Sequence, residues 1–485
     1  MRAPPMSWHT NVRDLGATGD GVAKDTMPVQ AAIDAAEKQG GGTVTFPAGG
    51  YLCGTIHLKS NVTIHLSPGA VILASRDEED FDPYETLPFT PVNDRETTYF
   101  HYALLAGEDV HNVSIIGEGG IDGNRPKRGG PKPIALKRCQ HVRIRGITIT
   151  NGPNYSISLL GCDHVDIDGV QVLNAYSDGI DPDCCRFVRI SNCLIDSHDD
   201  AICAKASMAL GSRRSTEHLT VTNCILSTEC NNFKMGTESS GDFKNIAVSN
   251  CAIYRRPAGA RAATSGVAIE SVDGSNIDGV VVSNITMQEV RAPIFIRLGN
   301  RGRGMNPPVP GSLRNVSISN VVASLSDLPT PIMGIPGSPV RGVSLSNLNV
   351  TAKGGGTFAG LDLPEHINGY PDADVWGTYP ALALYCRHVE GLTLNNVRVQ
   401  CLSADPRPAA ILDDVVDVDV EGLKVPAGSG DNPRIWLNDA TRVLISGCLS
   451  PVPKGQFVSV SGARSSQIRL SGNILADGND EGRGG

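Results

Sequence analysis

No stretch of this sequence approaches the roughly 20 consecutive apolar residues that a bilayer-spanning helix needs, so no membrane partner is expected. Met1 to Asn11 likewise lacks the apolar core of a secretory signal, which leaves both a cytoplasmic protein and a trimmed periplasmic or secreted one open. There is no basic stripe. The formal charge is -9 and the isoelectric point about 5.7, which argues against nucleic acid, whose phosphates need local positive charge. The 13 cysteines show no CxxC spacing, and adjacent Cys184 and Cys185 are awkward disulfide partners. Free thiols are expected, and His57, His65 and His164 have no metal-ligand company, so no metal and no cofactor are assigned. Aromatic residues are scarce, at 5%.

Glycine is plentiful, with 54 in 485 residues, and 40% of the chain is apolar, which suits many turns around a substantial core. Length alone suggests about three domains of ~150 residues, although regular β architectures run longer as one unit. Asn11 to Asp25 is turn-rich, and Thr26 is placed to N-cap a helix over Val29 to Lys38. After the glycines at 40–42 come short β-rich runs broken by Gly, Pro, Ser and Asn. From residue 110 one phrase returns: HVRIRGITIT at 141, HVDIDGVQVL at 164, FVRISNCLI at 187, HLTVTNCIL at 218, NIAVSNCAI at 245 and four later copies. The apolar positions alternate with period 2, so the repeat is strands and turns, not helices. A spacing of mostly about 23 to 36 residues suits solenoid coils, each of which buries its apolar side chains by stacking on its neighbours.

The expected fold is all-β: one right-handed, single-stranded parallel β-helix over 1–485, with 11–50 as the helical cap and first strands. The Ser-Asn pairs fit inward-turning corners, where Asn tolerates a left-handed conformation and its amide bonds the Asn above and below. Cys193, Cys224 and Cys251 would stack as small buried side chains. Two regions, 77–108 and 351–383, break the rhythm and read as long loops that shape a binding site.

One stretch concentrates carboxylates: Asp178, Asp181 and Asp183, then Asp199 and Asp200. Asp178 and the Asp199-Asp200 pair lie about one coil apart, so stacking sets their turns side by side. Like-charge repulsion would then leave one carboxyl protonated beside an ionised one, the division that glycosidic acid and base catalysis needs. Turn aspartates are common in any solenoid, so spacing alone keeps a solvated corner as an equal reading.

The opening NVRDLGATGDGVAKDTMPVQAAIDAA, the run GGGTVTFPAGGYLCGTIHLKSNVTIHL, then IIGEGGIDG, NGPNYSISLLGC, SDGID and SHDDAIC resemble glycoside hydrolase family 28, the polygalacturonase family, over roughly residues 11–400. The resemblance implies a pectin lyase-like β-helix and inverting hydrolysis by three aspartates, which fall on Asp178, Asp199 and Asp200. Asp199 would protonate the leaving oxygen, while Asp178 and Asp200 activate water. Two motifs of the family are missing. Its Gly-His-Gly segment falls on Cys230, Asn231 and Asn232, and its Arg-x-Lys clamp on the substrate carboxylate falls on Ala268 and Glu270.

A glutamate would repel a uronate, so a neutral or deoxy sugar such as a rhamnosyl residue is expected in the cleavage subsite, with Glu270 accepting its hydroxyls. Lys205, Lys234, Arg297 and Arg301 offer cations for an acidic sugar in a neighbouring subsite. Asp181 is expected to support the turn or a substrate hydroxyl, Glu238 to replace part of the missing histidine's role, and His198 to hydrogen-bond within the cleft. Asp183 is expected to be structural. The insertion at 77–108 points to exo action on oligosaccharides. Two readings compete with the hydrolase: a lyase or epimerase that uses Arg297 to neutralise a uronate, and a non-catalytic carbohydrate-binding β-helix.

Overall fold

The computed structural model describes residues 8–257 and 259–479. Met1 to Ser7, most of the segment read for an export signal, lies outside them. Among the described residues, no helix is long and apolar enough to cross a membrane. The chain divides into two compact units between Thr228 and Glu229. Each is a stretch of right-handed parallel β-helix, the class the repeat implies.

In the first unit the helix runs from Thr26 to Lys38, three residues earlier than expected. Val29, Ala32, Ile33 and Ala36 are its buried stripe. Its N-cap is Asp25, not Thr26. The Asp25 carboxylate turns back instead to the Thr18 and Gly19 amides at 2.8 and 3.0 Å, while Thr26 Oγ1 accepts from Gly54 N.

Each later coil contributes three short strands, and like strands stack in parallel. The coil Asp163–Asp168, Gln171–Ala175 and Ile180–Asp183 lies on the coil Arg186–Ser191, Leu194–Ser197 and Ile202–Ala206. Alternation buries Val165 with Ile167 and Val188 with Ile190, which meet rung on rung. The third strand of each coil is different: Ile180–Asp183 and Ile202–Ala206 are buried on both faces. The insertion covers the third strands of earlier coils, Ala103–Glu108, Lys132–Lys137 and Ile157–Leu160. Phe100 packs there with Ala103, Ala106, Ala135 and Leu160, and Glu85 holds it by accepting from the Phe100 and His101 amides and from Lys137. The insertion ends sooner than 108, because Ala103–Glu108 is already a rung paired with Lys132–Lys137.

In the second unit the strands lengthen and run through the corner. Phe243–Ile253, Asn276–Gln288, Ser312–Ser326, Val340–Ala352 and Leu384–Cys401 stack in sequence. Their corners carry Asn250, Asn284, Asn320, Asn347 and Asn396, each left-handed, and each amide donates to the one before at 2.8–3.0 Å. The amide ladder is as expected, but it faces solvent and does not turn inward. Apolar β-branched residues already fill the coil interior, so the amides find partners only along the outer edge. The expected loop at 351–383 begins after Ala352, the end of a strand, and its Leu363, Trp376 and Tyr379 cover Ala268, Phe295 and Tyr385.

None of the 13 cysteines is in a disulfide. Cys193, Cys224 and Cys251 are buried, as the repeat implies.

Candidate active site

The first unit brings five of the expected residues together. Ile180 pairs with Ile202 across neighbouring rungs, so Asp178 and Asp200 fall at the same offset, and Gly179 N donates to Asp200 O at 2.9 Å. Both side chains are buried, at 3% and 4% exposure. A carboxylate oxygen of Asp178, one of Asp200 and Cys203 Sγ lie within 4.8 Å of one another. Lys205, one rung on from Asp183, donates to Asp178 Oδ2 at 2.8 Å and to Asp181 Oδ2 at 2.7 Å. Its ammonium also sits 3.8 Å over the Tyr155 ring. This ammonium supplies positive charge beside the Asp178 and Asp181 carboxylates.

Electrostatics follow from that count of two carboxylates and one ammonium. Burial, then the charges of Asp181, Asp199 and Asp200, push the Asp178 carboxyl well above its ordinary value, against the pull of Lys205. Burial lifts Asp181 to about 6, again opposed by Lys205. Burial alone would lower Lys205, but Asp178 and Asp181 raise it well above its ordinary value. The surplus carboxylate makes the retained proton a property of the pair. Asp183 stands apart, accepting from Ser207 N and Oγ, a structural role.

Asp199 is more open, at 25% side-chain exposure. Its Oδ1 accepts from Asp200 N at 2.9 Å, and its Oδ2 meets Arg128 Nη1 at 2.5 Å. Arg128 turns its other side to Glu96, with Nε to Oε1 at 3.1 Å and Nη2 to Oε2. His198 stays on the flank. Its ring stacks on Tyr176, and Nε2 faces Asn174 Oδ1 at 3.4 Å.

Sequence reasoning missed Tyr155, Lys132, Arg128 and Glu96. For the first two a signal existed: Lys132, Tyr155, Asp178 and Asp200 each stand two residues ahead of the isoleucine that sets its rung, Ile134, Ile157, Ile180 or Ile202. Lys132 is 1% exposed, sits 3.7 Å over the Phe100 ring, and its Nζ has no hydrogen-bond partner among the described residues. Burial pulls it down to about 7. Arg128 lies in a loop and Glu96 on the short helix Arg95–Thr98, both outside the repeat, where no register could place them.

In the second unit, Asn231 Oδ1 accepts from Ser265 Oγ at 2.5 Å. Lys234, in register with Ala268, donates to Tyr370 Oη at 3.2 Å. Glu238 accepts from Arg303 at 2.7 Å. Glu270, expected to meet sugar hydroxyls, has no exposed surface. Arg297, expected to offer a cation to sugar, is buried and committed to main chain: it donates to Gly334 O at 2.8 Å, Glu365 O at 2.6 Å and His366 O at 3.2 Å, with Trp376 against it. Arg301 is held by Asp273 and by Thr237 O. A cavity of about 800 Å³ elsewhere in this unit, beside Leu402, Leu449 and Ile474, has no carboxylate in its lining.

A parallel β-helix that buries stacked aspartates around one lysine, with another aspartate half open beside them, is a scaffold for acid and base work on carbohydrate. Residues 41–365 match the model of glycosyl hydrolases family 28, and the chain belongs to that family. It is a glycoside hydrolase. A probable polygalacturonase of Vitis vinifera is 25% identical over 365 residues, covering 70% of this chain and 73% of that protein. The mannuronan C5-epimerase AlgE1 of Azotobacter vinelandii is 53% identical over 62 residues, 11% of this chain and 4% of that one. Among solved structures, the exopolygalacturonase of Thermotoga maritima shares the fold, with a TM-score of 0.61 and 22% identity over 71% of this chain and 87% of that one.

Proposed function

We propose that the protein is an inverting, exo-acting hydrolase of pectin-derived oligosaccharides that releases a neutral or deoxy sugar, a rhamnosyl residue being the favoured example. The observation that carries the sugar choice is the state of the two positions where the family resemblance puts the uronate clamp. Ala268 lies under Phe295 and Trp376 in an apolar cluster, and Glu270 is fully buried on the same strand. Neither can pair with a sugar carboxylate. Exo action is supported by the insertion that roofs the third strand of the coils.

In the proposed step, water attacks the anomeric carbon and loses a proton to the Asp178–Asp200 side. The glycosidic C–O bond breaks, and Asp199 gives its proton to the leaving oxygen. The raised proton affinity of Asp178 makes it an effective acceptor at mildly acid pH, while Lys205 keeps it ionised often enough to act.

The test is product analysis on rhamnogalacturonan oligosaccharides and on oligogalacturonides, with the first-formed anomer read by NMR. Release of rhamnose with inverted configuration is expected. Equal turnover of polygalacturonate, or products that are almost wholly oligomeric, would sink the reading. The short likeness to an epimerase gives a second reading on the same fold, and an unsaturated, ultraviolet-absorbing or epimerised product would favour it.

A further inference from the structure

Asp199 has the wrong partner for a general acid. An acid must present a proton to the leaving oxygen, yet here its Oδ2 is ion-paired with Arg128 at 2.5 Å, and a guanidinium favours the carboxylate form. The contact is built from both ends. Asp200 N fixes Asp199 Oδ1 at 2.9 Å, which leaves Oδ2 to face Arg128. On the other side, Asp94 caps the short helix Arg95–Thr98 through Thr97 N at 2.8 Å, which orients Glu96, and Ser177 Oγ donates to Glu96 Oε2 at 3.3 Å. Arg128 therefore holds one fork of donors between two positioned carboxylates. Its side chain remains 47% exposed, so the pair is open to exchange with a ligand.

Arg128 is also the cation of the first unit best placed to meet a substrate. Lys205 is closed in by Asp178 and Asp181, with 4% exposure, and Lys132 lies under Phe100. A planar guanidinium that already binds carboxylates side-on would accept a third one in the same geometry.

We propose that Arg128 reads a uronate on the sugar whose oxygen Asp199 protonates, and that the uronate takes the place of Asp199 in the Arg128 fork. Released from the ion pair, Asp199 takes up one proton from solvent and delivers it to the leaving oxygen as the C–O bond breaks. The substrate carboxylate thus arms the acid, and Glu96 keeps the guanidinium in place during the exchange. The acidic sugar of the substrate is recognised beside the cleavage subsite rather than within it. The proposal rests on the hydrolase reading above and narrows its substrate to a neutral or deoxy sugar linked to a uronate.

The test uses two oligosaccharides that differ only in the sugar next to the scissile bond, a uronate in one and its carboxyl-reduced form in the other. Wild-type kcat/KM is expected to favour the acidic member on the order of 10- to 100-fold, the range of a charge-assisted contact. Arg128→Gln should collapse that ratio, and Arg128→Lys, which keeps charge without the fork, should restore only part of it. On the carboxyl-reduced substrate the alkaline limb of the kcat/KM profile should lie at higher pH in Arg128→Gln than in wild type, because Asp199 then holds its proton without a guanidinium beside it. A role confined to holding the loop would lower both substrates together and leave the ratio intact, which overturns the proposal. If neither substrate is cleaved, the substrate reading above fails, and calorimetric binding of the same pair decides this one. Tighter binding of the acidic member, lost in Arg128→Gln, supports it, and equal binding overturns it.

Discussion

Asp178 and Asp200 stand at one offset on neighbouring rungs, each two residues ahead of the isoleucine that fixes the register. A single residue inserted in either turn would turn one of them to the other face of its strand. The pair is thus set by the stacking of the coils, with Asp199 beside it on an open edge. Asp178→Asn, Asp199→Asn and Asp200→Asn should each lower kcat by about 10²- to 10⁴-fold, as for loss of a general acid or base. Oligosaccharide binding measured by calorimetry should survive in Asp199→Asn. Unchanged turnover in that variant would remove Asp199 from the role of general acid.

Lys205 ties the buried carboxylates into a pH-sensitive unit. Asp181 is raised from an ordinary 3.8 to about 6, so the folded state binds its proton more tightly than the unfolded chain. The stability from this group is complete below about pH 4 and is lost as pH climbs through about 6. The urea midpoint should fall over that window, and Asp181→Asn should flatten the fall. Lys205→Met leaves two buried carboxyls facing each other, should lower stability by about 3–5 kcal/mol, and should move the window to higher pH.

Lys132 has the opposite sign. Burial depresses it from 10.5 to about 7, so the unfolded chain binds its proton more tightly, and the stability it contributes is lost as pH falls through about 7. Lys132→Met keeps the volume and removes the buried ammonium, and should raise the thermal midpoint most at pH 6, where the gain is about 2–4 kcal/mol. A variant less stable than wild type at both pH 6 and pH 10 would mean that the ammonium has a partner in solution.

The coils and the aspartates were legible because both follow register: period-2 alternation marks Val165, Ile167, Val188 and Ile190 as core, and the same count places Asp178 over Asp200. The rest failed where partners come from outside the repeat. Arg128 sits on an irregular loop and Glu96 on a single helical turn outside the repeat, and neither the charge nor the spacing of NRPKRGGPKP says which carboxylate Arg128 meets. The strand of Arg297 shows only its rung, so the sequence offers it as a cation for sugar, while the carbonyls of Glu365 and His366 that hold it lie 68 and 69 residues away. For Asn320 and its fellows the sequence implies the left-handed conformation but not the side, since a left-handed corner residue can satisfy its amide along either edge of the stack.

Arg297 is the residue through which the second long loop can be tested. Its fork holds the Gly334, Glu365 and His366 carbonyls, and His366 O also accepts from Gly369 N at 3.3 Å. Arg297→Met would strip the Gly334 and Glu365 carbonyls of this donor and leave His366 O with the Gly369 amide alone, at about 2–4 kcal/mol. The loop between Ala352 and Leu384 should then open. Limited proteolysis should cut within it faster, and emission from Trp376, now against the guanidinium, should shift to the red. Arg297→Lys should fall between, because one ammonium cannot span three carbonyls. A lyase that used Arg297 to neutralise a uronate would behave differently: turnover would vanish in Arg297→Lys while the loop stayed as resistant to protease as in wild type.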